Sequence, residues 1–120
     1  GIEQNVVLWD SFIETDEFYG TLNASDYILP LIHPAHDSYS LYEFQISGSF
    51  NLAFGFKKPL LMETSFSEYN DFKNTSVFYT TGSLMEVING LKVDSENTFY
   101  SDSKWNFDEL KRSFLESLEL

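Results

Sequence analysis

Ser47-Gly48-Ser49-Phe50-Asn51-Leu52-Ala53-Phe54-Gly55-Phe56-Lys57-Lys58-Pro59-Leu60-Leu61-Met62 is the stretch on which the fold turns. It opens on small polar residues, runs about two turns on an apolar face, breaks, and enters an apolar run. This predicts a helix from Ser47 to Phe56 and a buried strand from Pro59 to Met62. A helix that begins Ser-Gly-Ser presents backbone N–H groups and the positive end of its dipole, which suits a phosphate or another anion. The same residues also make a plain N-cap with no ligand. Both readings are open at this point. Lys57 and Lys58 complement the negative end of the same dipole.

Upstream, Asp26 to Ile32 is apolar almost throughout, as in a parallel strand covered on both faces, and Pro30 ends its ladder. Thr15-Asp16-Glu17 starts a short helix that carries Phe18 and Leu22 on one face and ends near Asn23-Ala24-Ser25. Val6-Val7-Leu8 is β-branched and apolar and reads as a buried strand. Downstream, 63–75 is polar and irregular, with a turn at Tyr69-Asn70-Asp71. Val77-Phe78-Tyr79 is a further strand. Ser83 to Glu86 is a capping box whose helix buries Leu84, Val87, Ile88 and Leu91 and stops at Gly90. Residues 92–104 read as polar loop. Asn106 to Glu109 is a second capping box, and the helix over 106–120 carries Phe107, Leu110, Phe114 and Leu118 as an apolar stripe.

Strands alternating with helices predict one α/β domain over 1–120, with a Rossmann-like, mostly parallel sheet and flanking helices. Ligands of such sheets sit beyond the carboxyl ends of the strands. Here those positions are the loops 10–14, 33–45 and 63–75 and the turn Thr80-Thr81-Gly82.

Composition narrows the partners. The formal net charge is −12, from 19 acidic and 7 basic residues. Nucleic acid and anionic lipid reward Lys/Arg clusters, so neither is an expected partner. The absence of cysteine removes disulfides, thiolate metal sites and thiol nucleophiles, and favours a reducing compartment. No apolar run reaches the roughly 18 residues of a membrane span. The first residues lack the basic and apolar regions of a signal peptide. The expectation is a cytoplasmic chain, with any attachment to the inner membrane face made by other parts of the protein. It starts on Gly1 rather than Met, as an excised piece does.

Asp26-Tyr27-Ile28-Leu29-Pro30, the loop with Tyr39 and Tyr42, Ser47-Gly48, and Ala53 to Pro59-Leu60-Leu61 together resemble the C-terminal half of a GT-B glycosyltransferase of the family 4/family 1 group. The shared pattern is a short helix, "sD.ilP", a variable loop, a helix with a small-residue start, and "A..fgkPvl". It covers roughly residues 5 to 92. The resemblance implies part of an enzyme that binds a nucleotide-diphosphate sugar and transfers a hexosyl group to a saccharide or lipid-linked acceptor. It implies that Ser47, Gly48 and Ser49 lie against the donor diphosphate. It places His36, Asp37, Tyr39, Tyr42 and Glu43 on the sugar side, and Asn51 and Glu63 on the nucleotide side. The partner domain would be the N-terminal GT-B half, so this segment alone is expected to be inactive. Leu52 stands where many members carry a Glu, and Lys57 where they carry a Gly.

The residues themselves leave alternatives. His33, His36 and Asp37 have metal-ligand chemistry, but no further His exists in the chain and no third strong ligand is evident, so no metal and no cofactor are expected. His36 and Asp37 either hydrogen-bond sugar hydroxyls or belong to a solvated loop. Tyr39 and Tyr42 either stack on a ligand or pack the loop down. Glu43 is a donor-binding or catalytic carboxylate, or a first-turn helix acid. A catalytic residue is not evident. The rival to the enzyme is a non-catalytic α/β interaction or regulatory module that has lost donor binding.

Overall fold

The structure, a computed structural model, describes residues 2–33, 35, 47–93 and 96–118. In chain order the elements are α1 (Thr15–Ala24), α2 (Gly48–Phe56), β1 (Leu60–Glu63), α3 (Asn70–Lys73), β2 (Ser76–Tyr79), α4 (Leu84–Asn89) and α5 (Phe107–Leu118). Short 3₁₀ turns lie at Ile2–Asn5, Thr64–Phe66, Thr98–Tyr100 and Ser103–Trp105. The architecture is mixed α/β, with a small two-stranded parallel sheet and flanking helices.

The sheet register pairs Leu60 with Ser76, Leu61 with Val77, Met62 with Phe78 and Glu63 with Tyr79. β1 is held on both sides. Its Leu60 amide donates to Thr75 O (2.9 Å), and its Leu61 amide donates to Ile28 O (2.9 Å). Ile28 in turn donates to Pro59 O (3.0 Å), which makes a parallel bridge to Leu60. The apolar run 26–32 therefore pairs at Ile28 alone rather than as the expected strand. Pro30, buried just beyond, supplies no amide to extend it.

Every residue of β1 is buried, as central parallel strands are. Leu60, Met62 and Phe78 face α2 and join Phe50, Ala53, Phe66, Phe72 and Ile32 in one core. Ala53 and Leu60 have no exposed surface, and the small Ala side chain lets α2 lie close on the strand. Phe50 meets Phe72 and Phe66 edge-on, with ring centroids 4.8 and 6.1 Å apart.

Tyr100 locks the far end of α2. The ring is buried within the stretch expected to be polar loop, and its hydroxyl donates to Lys58 O (2.6 Å) and lies 3.2 Å from Ala53 O. Burial pushes the phenol well above its usual range, so it stays a donor. Its ring stacks edge-on with Trp105, which also lies over Phe54.

Other expectations are corrected. Val6, Val7 and Leu8 form no strand and are exposed, and they pair with neither β1 nor β2. α1 starts at Thr15 as expected, but its N-cap is Glu14, without a side-chain bond. The segment 63–75 is ordered by a 3₁₀ turn and by α3 at the expected turn. Leu84, Val87, Ile88 and Leu91 are half-buried rather than buried, because α4 covers only part of the sheet face. Asn106 caps α5 as expected, its Oδ1 accepting from Asp108 N (2.9 Å) and Glu109 N (3.2 Å). The α5 stripe is exposed. With a radius of gyration of 16.5 Å, the chain is less compact than the roughly 14 Å of a close-packed domain this long. No helix among the described residues is long and apolar enough to cross a membrane.

Two substitutions check this packing. Lys57 ends α2 in the left-handed region (φ 53°), where a Cβ is strained. Lys57→Gly is expected to raise stability by about 0.5–1 kcal/mol in denaturant titration. Tyr100→Phe removes the donor to Lys58 O and is expected to lower stability by about 1–2 kcal/mol in the same measurement.

Candidate functional site at the carboxyl ends of the strands

Because β1 and β2 are parallel, both end at one edge, and the segment leaving Ile28 reaches the same edge. The last residues there are Glu63 on β1, Tyr79 on β2, and His33. Such an edge is where polar loops meet helix starts, which is why open α/β sheets bind ligands there.

Glu63 is buried at 8% exposure. Its Oε1 accepts from Thr64 Oγ1 (2.9 Å) and its Oε2 from Ser65 N (2.9 Å), and the Ser65 side chain also bonds to it. Burial alone pushes the carboxyl up, but these hydrogen bonds outweigh it and hold it below the usual range. Glu63 is therefore ionised at neutral pH. Its bond to Ser65 N caps the 3₁₀ turn Thr64–Phe66.

Tyr79, its register partner, is buried at 7% exposure. Burial and the Glu63 charge both push the phenol up. His33 is fixed at both nitrogens. Ala35 N donates to Nδ1 (3.1 Å), which assigns the hydrogen to Nε2, and Nε2 donates to Thr81 Oγ1 (2.9 Å). That bond ties the start of the 33–45 loop to the turn after β2. In the same turn Ser83 does not form the expected capping box. Its hydroxyl accepts from Thr80 N (2.9 Å) and also bonds Thr80 Oγ1 (2.9 Å), so it is turned away from α4.

α2 precedes β1 by a short turn, so its N-terminus lies toward this same edge. Phe50 in its first turn packs on Phe66, just past the end of β1. Ser47 is the N-cap, its Oγ accepting from Ser49 N (3.2 Å). Ser47 O accepts from Phe50 N (3.0 Å) and Asn51 N (3.4 Å). Gly48 is exposed, and a side chain there would meet nothing within 4 Å. At the helix start Gly48 is exposed while Ser47 and Ser49 are half-buried, and Ser47 itself engages three amides.

The expected site residues divide accordingly. Ser47, Gly48, Ser49 and Asn51 sit on or before the first turn of α2, and Glu63 lies at the same edge. Met62 and Phe78 face α2, so by strand alternation Glu63 and Tyr79 present the opposite face. His36, Asp37, Tyr39, Tyr42 and Glu43 lie outside the described residues. Sequence reasoning passed over Tyr79. Its signal was a hydroxyl-bearing aromatic as the last residue of an apolar run entering the turn Thr80-Thr81-Gly82. The opposite, amino edge holds a cleft of about 410 Å³ lined by residues including Asp26, Lys57 and Lys58, and it contains none of the expected site residues.

No family model matches the chain, nor does any curated protein or solved structure.

Glu63 sets a pH test. Its carboxyl is held below the unfolded value, so its contribution to stability is present above the ordinary Glu range and is lost as pH falls through the lowered value. In denaturant titrations, Glu63→Gln is expected to be less stable than the parent at pH 7, and the gap is expected to close toward pH 3.

Proposed function

We propose that this chain is the donor-binding part of a GT-B glycosyltransferase, a piece of a Rossmann-like half that takes a nucleotide-diphosphate sugar for hexosyl transfer to a saccharide or lipid-linked acceptor. The observation that carries this reading is the Ser47-capped start of α2, with Gly48 exposed, at the carboxyl edge of a parallel sheet. It gains weight from the sequence resemblance, in which the same residues face the diphosphate.

In this reading the residues act electrostatically. The first-turn amides, the dipole of α2 and the hydroxyls of Ser47 and Ser49 stabilise the charge that grows on the departing diphosphate. Exchange of the Ser47 Oγ bond to Ser49 N for a phosphate oxygen keeps that amide partnered, while the backbone bonds to Ser47 O stay in place. No protein-bound metal is required. The acceptor and the second half of the cleft come from the N-terminal domain of such an enzyme.

A second reading has its own support. Ser47 already engages the amides of Ser49, Phe50 and Asn51, and a half-buried Leu52 occupies the place of the family Glu. Both fit a non-catalytic interaction or regulatory module.

Calorimetry separates the two readings. The full-length protein is titrated with UDP-glucose, GDP-mannose and ADP-glucose, alongside a Gly48→Trp variant whose fold is checked by circular dichroism. The expected result is saturable binding of at least one donor, weakened at least tenfold by the bulky residue over the first turn. No binding of any donor by the parent supports the module. Equal affinity in the variant removes α2 from the site.

A further inference from the structure

We infer that the cleft at the amino edge of the sheet binds a zwitterion, a free α-amino acid with an apolar side chain. The site is separate from the donor-binding edge and stands or falls without it.

The cleft has a volume of about 410 Å³, and Asp26, Lys57 and Lys58 line it together with Phe56, Pro59 and Val93. Pockets for small molecules span roughly 300–1,000 Å³, so there is room for a ligand of this size. Asp26 and Lys57 are both exposed, and among the described residues neither forms an ion pair. They stand too far apart to pair with each other. Lys58 is already engaged, its Nζ donating to Asn23 O (2.7 Å). Lys57 therefore supplies the available cation and Asp26 the available anion. The carboxyl end of α2 also falls at Lys57, and its dipole adds to Asp26 in favouring a positive group.

The backbone singles out Lys57 independently. Lys57 (φ 53°) and Asn97 (φ 55°) are the two non-glycine residues in the left-handed region among the described residues, and both line this cleft. Asn tolerates that region, whereas Lys does not adopt it readily. Glycine would end α2 at lower cost. A side chain held at a strained position beside a cleft is the pattern of a residue with a task there.

One cation and one anion that face the same space without pairing decide among ligands. Inorganic phosphate gains from Lys57 but is repelled by Asp26 and by the end of α2. A simple amine gains from Asp26 but is repelled by both lysines. A zwitterion satisfies both charges, with its carboxylate toward Lys57 and its ammonium toward Asp26. Phe56, Pro59 and Val93 then cover an apolar side chain.

The test titrates the full-length protein with L-phenylalanine, L-leucine and L-methionine, followed by calorimetry and by saturation-transfer NMR. The tightest of the three is compared with its N-acetyl derivative, which lacks the ammonium, and its amide, which lacks the carboxylate. The variants are Lys57→Gly, Lys57→Gln and Asp26→Asn, each titrated well below its own melting temperature so that only folded protein is read. The parent is expected to bind at least one amino acid saturably. Each derivative and each variant is expected to weaken that binding at least about fivefold. Lys57→Gly is the sharpest case, because it is expected to lose the ligand while melting at or above the parent's temperature. No saturable binding of any of the three amino acids by the parent overturns the site. Unchanged affinity in Lys57→Gly and Lys57→Gln, or a derivative that binds as tightly as the free amino acid, overturns the assignment to a zwitterion. None of these results depends on whether the protein binds a nucleotide sugar.

Discussion

The parallel pairing of Leu60–Glu63 with Ser76–Tyr79 is the constraint on which the rest of the molecule depends. A parallel pair cannot be closed by a tight hairpin, so the chain between the strands must cross back over the sheet. The segment 64–75 does so through a 3₁₀ turn and α3, and delivers Phe66 and Phe72 onto the face that α2 covers. The same geometry puts both strand ends at one edge. Core and candidate site are thus two consequences of one arrangement: aromatic side chains fill the α2 face, and the residues where the strands stop are free to be polar.

The edge keeps its polar groups by local satisfaction. Glu63 is tolerable in a buried position because two neighbours hand it hydrogen bonds within two residues. His33 reaches 48 residues along the chain to Thr81 and joins the loop leaving Ile28–Ile32 to the turn after β2. Tyr79 is buried beside Glu63, and burial together with that charge raises its phenol.

Local signals in the chain were readable where their partners are also local. α2, with its Ser47 cap, depends on contacts within three residues, and so does the Asn106 cap of α5. β1 and β2 were readable as dense apolar runs. Features settled by distant partners were not. Val6-Val7-Leu8 has strand composition but pairs with neither β1 nor β2. Tyr100 sits in a polar stretch, and its role depends on the carbonyls of Ala53 and Lys58, which lie 47 and 42 residues away. Ser83 had a capping sequence, yet Thr80 competes for its hydroxyl from the other side. For the site, the helix start and Glu63 were visible as residue types at strand and helix ends. The Glu63–Tyr79 juxtaposition required the register, which no single segment encodes.

Native-state hydrogen exchange of the chain, resolved to single amides, addresses the central pairing most directly. The account predicts that Leu60 and Leu61, bonded to Thr75 O and Ile28 O in the covered middle of the sheet, are among the slowest amides to exchange and open only with global unfolding. It also predicts that amides of the exposed α5 exchange far faster through local opening. Exchange at Leu60 and Leu61 as fast as in α5 would mean that the parallel ladder is not the organising element, and would contradict the account.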